Sequence, residues 1–549
     1  MKNLYFTRIS IFFALLTGAL SVVSAQKSDT DFDKLIGSQY KPAEPGATVL
    51  IARKGDVIYR KAFGMANLEL GVPMQPEMVF EIGSMTKQFT AVSLLMLMEQ
   101  GKINLTDEIT KFIPEYPTQG QKITIHHLMN HTSGIKSYTD MQEWFPLWRK
   151  DMTPMEMIDV FKNQPMDFAP GEKYLYNNSA YFILGYIIEK ASGQSYAGFL
   201  EENIFKPLKM NSTYYGSHKQ IIPNRAAGYQ HQDGFTNAEY LSLTQPYSAG
   251  SIMSNVDDLL KWQIAIRDNK LVRKETIELA YTDYKTNDGK PIHYGYGWAL
   301  SDINGSATIE HGGGIFGYTT NGIWLPGEDV YVVMLTNRDD IGPADISTRL
   351  AALAIGKPYP EAAEGMTLSS EMVKELTGVY EFEDASVRSI IFEDGVLYSQ
   401  RQGSSRFRLI PVAANKFAFE NSFSAIEFIN DRDGKQKAVF SNRIDTTRGE
   451  KTDKVIAEKL TIELEPEQMV PFIGEYEIQP GFSLKVTLED GHLMTQATGQ
   501  EKFEVFPESA VKFFLKVVDA QIEFIRNADG KVDSLMLYQG GAEIKAMKK

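Results

Sequence analysis

The chain contains no cysteine. That excludes disulfides, thiolate zinc sites, cysteine nucleophiles and a lipid-attached N-terminal cysteine. Positive charge is in deficit as well, with 56 Lys and Arg against 70 Asp and Glu and a formal net charge of −14. Nucleic acid and anionic membrane surfaces reward basic patches, so neither is expected as a partner. Beyond the first 25 residues no run is long and apolar enough to span a bilayer.

Those first residues read as an export signal. Lys2 and Arg8 form a basic start, ISIFFALLTGAL is a short apolar segment, and Val23-Ser24-Ala25 offers small residues for cleavage before Gln26. Residues 1–25 are therefore expected to be removed, taking the charge from −14 to −16 with the loss of Lys2 and Arg8. The product is expected to be periplasmic or secreted, with no membrane anchor. At 549 residues, 43% hydrophobic and 23% charged, the chain has the composition of a globular protein of more than one domain.

From Lys41 to about Gly356, strand-like and helix-like stretches alternate. Two β-rich runs flank Lys54-Gly55-Asp56, and two more flank Gly327-Glu328, each a hairpin pattern. Between them, Met85 to Gln100 is apolar on nearly every side, and SAYFILGYIIEKASG carries a cap residue before it and Gly193 beyond it. Strands at both ends with helices between predict an α+β domain over 26–356, its sheet closed by pairing of N- and C-terminal strands. A Pro- and Gly-punctuated linker follows at 357–370.

The remainder is β-rich and repeats itself at an offset of 96 residues. Gly378 and Tyr380 match Gly474 and Tyr476, Glu393-Asp394-Gly395 matches Glu489-Asp490-Gly491, Pro411 matches Pro507, and IEFI at Ile426 recurs at Ile522. Two related all-β modules are predicted, 371–449 and 467–549, joined by a charged linker over 450–466. Each is small enough to be a sandwich or half-barrel whose exposed edges the other copy would cover.

Ser-x-x-Lys occurs at five places, beginning at Ser24, Ser38, Ser84, Ser133 and Ser509, but only Ser84 opens a strong helix. There, residues i and i+3 lie about 5–6 Å apart, so Lys87 can reach the Ser84 hydroxyl. Unpaired N–H groups of the same turn can face a developing anion. A lysine with its ordinary pKa is neutral in only about one molecule in 2,500 at pH 7, so burial or a neighbouring charge has to depress it. A tyrosine between the two could relay the proton, its phenolate favoured by the ammonium. Tyr176-x-Asn178, the sole Tyr-x-Asn of the sequence, precedes an apolar helix and suits that place. His311-Gly312-Gly313-Gly314 heads the closing strand pair, where glycines permit close approach of a ligand to backbone.

In this order, Ser84-x-x-Lys87, Tyr176-x-Asn178 and His311-Gly-Gly resemble the serine β-lactamase and penicillin-binding-protein superfamily, in particular its class C-like branch of esterases, D-aminopeptidases and D,D-peptidases. The resemblance spans about Lys41 to Gly356 and includes the phrases ITIHHLMNHTSGI, FAPGEKYLYNNSAYFILGYIIEKASG and AGSIMSNVDDLLKW. It implies a β-lactamase-like antiparallel sheet with a helical lobe, and an acyl-enzyme on Ser84 with Lys87 and Tyr176 as the proton-transfer pair. It further implies an oxyanion hole from the N–H groups of Ser84 and Gly314, with Asn178, His311 and Gly313 against the substrate. Where β-lactamases and carboxypeptidases carry a lysine, this chain has His311, mostly neutral above about pH 6.5. An ester or an amide of a D-amino acid is therefore expected to be preferred over a β-lactam. The alternative is a penicillin-binding or sensing protein that acylates or docks a cell-wall-like ligand without useful turnover. The tail modules resemble the lipocalin-like domains appended to some of these hydrolases.

No cofactor is expected, and the partner is a small-molecule or peptide substrate. His127 and His131 are spaced i, i+4, but no His-Glu-x-x-His pattern accompanies them, so no metal is expected.

Overall fold

The structure, a computed structural model, describes residues 30–549 apart from 232–233, 364–365, 367, 403, 405, 455–460, 480–481, 499–501, 516–519 and 540–541. The expected export signal at 1–25 lies outside the described residues. Backbone contacts divide the chain into a first unit ending at Pro358 and a second beginning at Tyr359.

The first unit is built on a six-stranded antiparallel sheet. Strands β1 (Ala47–Arg53) and β2 (Asp56–Phe63) form the first hairpin, turning through Lys54 at φ 55° and Gly55 at φ 88°. Left-handed φ at both turn positions gives the twist that suits a two-residue hairpin, which is why Lys-Gly serves here. Four strands come from the other end of the unit: β3 (Ala299–Ile303), β4 (Ser306–Ile315), β5 (Tyr318–Leu325) and β6 (Val330–Thr336). Their order is β3-β4-β5-β6-β1-β2, and β6 closes on β1 in a register running from Ala47 opposite Thr336 to Arg53 opposite Val330. All of β6 and nearly all of β1 are buried, so both read as unbroken apolar runs.

Three helices carry or brace the residues around Ser84. Helix α1 (Thr86–Glu99) buries eleven of its fourteen residues. Helix α2 (Asn178–Ser192) begins under the Asn177 side chain, which accepts from the Ala180 N–H at 2.8 Å, and ends at Gly193 with φ 75°. Helix α3 (Val256–Arg267) brings Trp262 into a stack on Phe89 of α1, ring centroids 4.0 Å apart. Packing on all sides explains the lack of a polar face on α1: it is the central helix of the lobe. Among the described residues no helix is long and apolar enough to cross a membrane.

The second unit holds two closed eight-stranded barrels, Gly378–Phe382 through Thr446–Thr452 and Gly474–Gln479 through Ala542–Lys548. Closure bears out the lipocalin-like expectation and replaces the half-barrel or sandwich one. First and last strands pair within each copy, Val379 with Thr452 and Tyr476 with Lys548, so neither needs the other to cover an edge. The closing strand of the first barrel also takes Glu450 to Thr452 from the expected linker. The 96-residue repeat holds at the level of single bonds: Tyr380 donates to the Leu376 carbonyl at 3.0 Å and Tyr476 to the Phe472 carbonyl at 2.8 Å. Asp394-Gly395 and Asp490-Gly491 turn through the same left-handed pair of conformations.

Candidate active site

Ser84 lies in a single 3-10 turn, Gly83–Met85, directly ahead of α1 rather than in the first α-helical turn. The turn is fixed on three sides. Ile82 N–H donates to the Ile252 carbonyl at 3.0 Å, Thr320 Oγ1 donates to the Ile82 carbonyl at 2.9 Å, and Thr86 Oγ1 accepts from Ile252 N–H at 3.1 Å. Strand β4 runs close against it, and two glycines make this possible. A Cβ on Gly313 would stand 2.0 Å from the Ile82 carbonyl oxygen, and one on Gly83, at φ 51°, would stand 2.9 Å from the Gly314 nitrogen. The Cβ direction of Gly314 itself meets open space.

Lys87 is fully buried, and its Nζ has three oxygen neighbours: Ser84 Oγ at 3.0 Å, Asn178 Oδ1 at 2.8 Å and the Ala249 carbonyl at 2.9 Å. It also stands 4.8 Å from the Tyr176 ring centroid and 5.5 Å from that of Tyr181. Burial drives its pKa well below the usual lysine range. A neutral amine fits the same geometry: two N–H bonds to Asn178 and Ala249, and a lone pair to accept the Ser84 proton.

Tyr176 Oη is buried without a hydrogen-bond partner among the described residues. Burial holds the phenol above its ordinary pKa, outweighing the opposing pull of the nearby Ser84 hydroxyl. The depression expected of the lysine is thus present and comes from burial, whereas the expected phenolate is not favoured, because the same burial holds Tyr176 as a phenol. Asn178 is held by its own contacts, Nδ2 donating to Thr139 Oγ1 at 3.2 Å and the backbone N–H to Ser137 Oγ at 3.3 Å.

His311 is 7% exposed and has both ring nitrogens engaged. Nδ1 donates to the Gly312 carbonyl at 2.6 Å, which leaves Nε2 to accept from Tyr294 Oη at 2.9 Å. Burial, with Lys87 nearby, pushes its pKa down to about 4. Neither nitrogen is free for a ligand, so the side chain shapes the site instead of presenting a cation to it.

Several neighbours are not evident from sequence. His131, at φ 61°, lies 4.4 Å from the Tyr176 ring centroid and 4.8 Å from that of Tyr294, and its Nδ1 accepts from the Asn177 N–H at 3.0 Å. The HTSG phrase is the available signal, together with Gly134, whose Cβ would meet the Phe168 carbonyl oxygen at 1.9 Å. His127 caps its own helix by accepting from the Thr124 N–H at 3.3 Å, and no metal-binding cluster occurs among the described residues. The Ala249 carbonyl has no residue signature at all.

Near the nucleophile turn is a cavity of about 340 Å³ lined by Glu81, His218, Arg225, Tyr240, Phe316 and Tyr318, among others. Glu81 is buried and accepts from Arg225 at 2.7 Å, and burial lifts its pKa to about 7.

A helix-flanked antiparallel sheet, with a serine, a buried lysine and a tyrosine gathered where α1, α2 and β4 meet, defines a serine hydrolase of the β-lactamase and penicillin-binding-protein class. The chain belongs to the Beta-lactamase family, which matches residues 32–357. Residues 459–548, the second barrel, match a domain of unknown function, DUF3471. The chain is similar to a penicillin-binding protein of Bacillus subtilis, 29% identical over 69% of this chain and 89% of that one. It is also similar to D-aminopeptidase of Gluconobacter oxydans, 27% identical over 57% of this chain and 60% of that one. Among solved structures, the octameric penicillin-binding protein homologue from Pyrococcus abyssi has a TM-score of 0.53 and 26% identity over 77% of this chain and 99% of that one. D-amino acid amidase from Ochrobactrum anthropi, 22% identical with a TM-score of 0.53 over 61% of this chain and 99% of that one, shares the fold.

Proposed function

We propose that the protein is an exported serine hydrolase that cleaves esters or amides of D-amino acids or peptidoglycan-derived peptides through an acyl-enzyme on Ser84. The observation that carries this reading is the buried Lys87 amine 3.0 Å from the Ser84 hydroxyl. Neutral Lys87 takes the hydroxyl proton as Oγ bonds to the substrate carbonyl carbon, and the carbonyl electron pair moves onto oxygen. The Ser84 and Gly314 N–H groups receive that oxyanion. Collapse of the tetrahedral adduct breaks the bond to the leaving alcohol or amine, which takes a proton delivered through Tyr176. Water then attacks the ester, giving up its proton to the same pair, and Ser84 is restored as the acid departs. Asn178 bonds the acyl portion.

The neutral, internally bonded His311 favours substrates whose leaving group carries no carboxylate, so β-lactam turnover is weak or absent. The relatives named as a D-aminopeptidase and a D-amino acid amidase point to the same substrate class. Mass spectrometry of protein quenched during turnover of a p-nitrophenyl ester and of D-amino acid amides should show the acyl adduct on Ser84. Tyr176→Phe should lose at least about a hundredfold in kcat, the scale of an acid–base contribution. Absence of any Ser84 adduct with every substrate rejects the mechanism. A single stoichiometric burst without turnover would favour a ligand trap over an enzyme.

A further inference from the structure

We propose that the first barrel of the second unit holds a binding site for a small organic carboxylate with an apolar body, anchored by Arg388 and Ser399 and walled by Phe382, Phe419 and Phe440. The site is independent of the hydrolase reading.

Placement comes first. Arg388 lies on the Val387–Glu393 strand directly opposite Tyr380 and Arg401, and two residues from Ile390. Tyr380 and Ile390 are buried in the barrel core, and paired or i+2 residues share a sheet face, so Arg388 points into the lumen. Ser399 stands opposite Ile390 and faces the same way.

Neither polar group has found a partner. Arg388 Nε and Ser399 Oγ are buried and make no hydrogen bond among the described residues. The guanidinium carbon lies 3.9 Å from the Phe440 ring centroid, 5.8 Å from that of Phe382 and 6.0 Å from that of Phe419. Aromatic faces attract a cation but accept none of its N–H bonds along the lone-pair directions it needs. Burial, together with Arg401 and against Asp384, pushes the Arg388 pKa down to about 10.

The sister barrel shows that the fold does not require this arrangement. In the equivalent register Tyr476 stands opposite Leu484, and Leu484 opposite Ala497. Leu484 is 7% exposed and belongs to an ordinary apolar core. The rings around the first-barrel arginine are matched there by Ile478, Leu515 and Met536. Both copies bury a hydroxyl at the same register position, Ser399 opposite Ile390 and Thr495 opposite Val486, so what sets the first barrel apart is a cation facing aromatic walls where the second has Leu484. Phe407, opposite Ser399 and so on the lumen side, is 48% exposed, which opens this end of the barrel to solvent.

A guanidinium whose buried Nε lacks a partner and a hydroxyl donor beside apolar rings match a monoanion with a hydrocarbon body: the carboxylate accepts from both donors, and the body fills the aromatic end. Isothermal titration of the full chain with sodium octanoate, with 1-octanol as the neutral control, tests this. Octanoate should bind saturably and octanol more weakly. Arg388→Leu should weaken octanoate by at least about tenfold, the scale of a charge-assisted pair, and should melt at a higher temperature in the absence of octanoate. Arg388→Gln, which keeps hydrogen-bonding capacity without charge, should show the same loss of octanoate affinity. Octanoate affinity unchanged in these variants, octanol binding as tight as octanoate, or no saturable heat with the wild type would each overturn the proposal. The same holds if Arg388→Leu melts lower than the wild type, since the arginine would then serve packing alone.

Discussion

Lys87 in the first unit and Arg388 in the second are both basic side chains withdrawn from water, Lys87 fully and Arg388 in part, and their surroundings differ in kind. Lys87 has an oxygen for each of its bonds, one of them the Ser84 hydroxyl. Arg388 faces rings, its Nε has no hydrogen-bond partner among the described residues, and the Asp384 carboxylate offsets its charge only in part. Burial penalises charge in both places, but the two side chains answer differently. An amine can release its proton and remain bonded as a neutral group, so burial favours the neutral form of Lys87, the form the proposed mechanism uses. A guanidinium keeps its charge under all ordinary conditions, so the cost of burying it stays until an anion arrives. The choice of residue at each position therefore separates a group that works by losing a proton from one that works by keeping it.

The sharpest way to break this comparison is to exchange the residue types. Lys87→Arg places a permanent positive charge beside Ser84 and removes the ability to become neutral. It should lose at least about a hundredfold in ester kcat, as much as Lys87→Ala, because a proton acceptor is missing in both. Steady-state assays with a p-nitrophenyl ester check it, and an arginine variant close to wild-type rates would show that Lys87 acts by charge alone.

The converse exchange is expected to have the next largest effect. Leu484→Arg places in the second barrel the cation that the first one carries, without the aromatic walls. It should destabilise that barrel by about 3 kcal/mol, the usual scale for an uncompensated buried charge. Hydrogen–deuterium exchange of the strands between Gly474 and Lys548 reads this locally. Protection equal to the wild type would mean that this lumen position tolerates a cation wherever it occurs, and the contrast between the barrels would lose its meaning.

How much of these sites is legible in sequence depends on which interactions are local. Ser84 and Lys87 share a turn, and Tyr176 and Asn178 share a helix entry, so spacing and context suffice to select them. The 96-residue offset is legible because Asp-Gly turns and the Tyr380 and Tyr476 bonds depend on residues a few positions apart. Barrel closure is not, since it joins Val379 to Thr452 and Tyr476 to Lys548 across whole modules. The resting protonation of Tyr176 escapes a sequence reading for a related reason. Nothing in Tyr176-x-Asn178 reveals that the phenol is sealed against His131 and Tyr294, and burial decides its protonation. The Arg388 contrast is present in the aligned repeat, at Arg388 and Leu484, but gains meaning only once parity places both in a lumen.

His311 offers the smallest test, and it probes the first unit's treatment of charge without touching the nucleophile. In the unfolded chain a histidine takes up a proton near pH 6.5, whereas in the folded site burial and Lys87 delay this to about pH 4. Between those values the unfolded state binds the extra proton and the folded state does not. The stability that His311 contributes is therefore fully present above about pH 6.5 and is lost as the pH falls toward 4. His311→Gln retains a donor for the Gly312 carbonyl and an acceptor for Tyr294 but has nothing to titrate. Its stability should fall less over this window, the difference reaching on the order of 2 kcal/mol near pH 4.5. His126 is depressed to about 4 by burial in both proteins, so its contribution cancels in the difference. Urea unfolding of the first unit at pH 8, 6 and 4.5 gives the two curves, which should diverge only below about pH 6.5. Parallel curves would mean that protonated His311 is accommodated in the fold, and that the site tolerates a positive charge near Lys87.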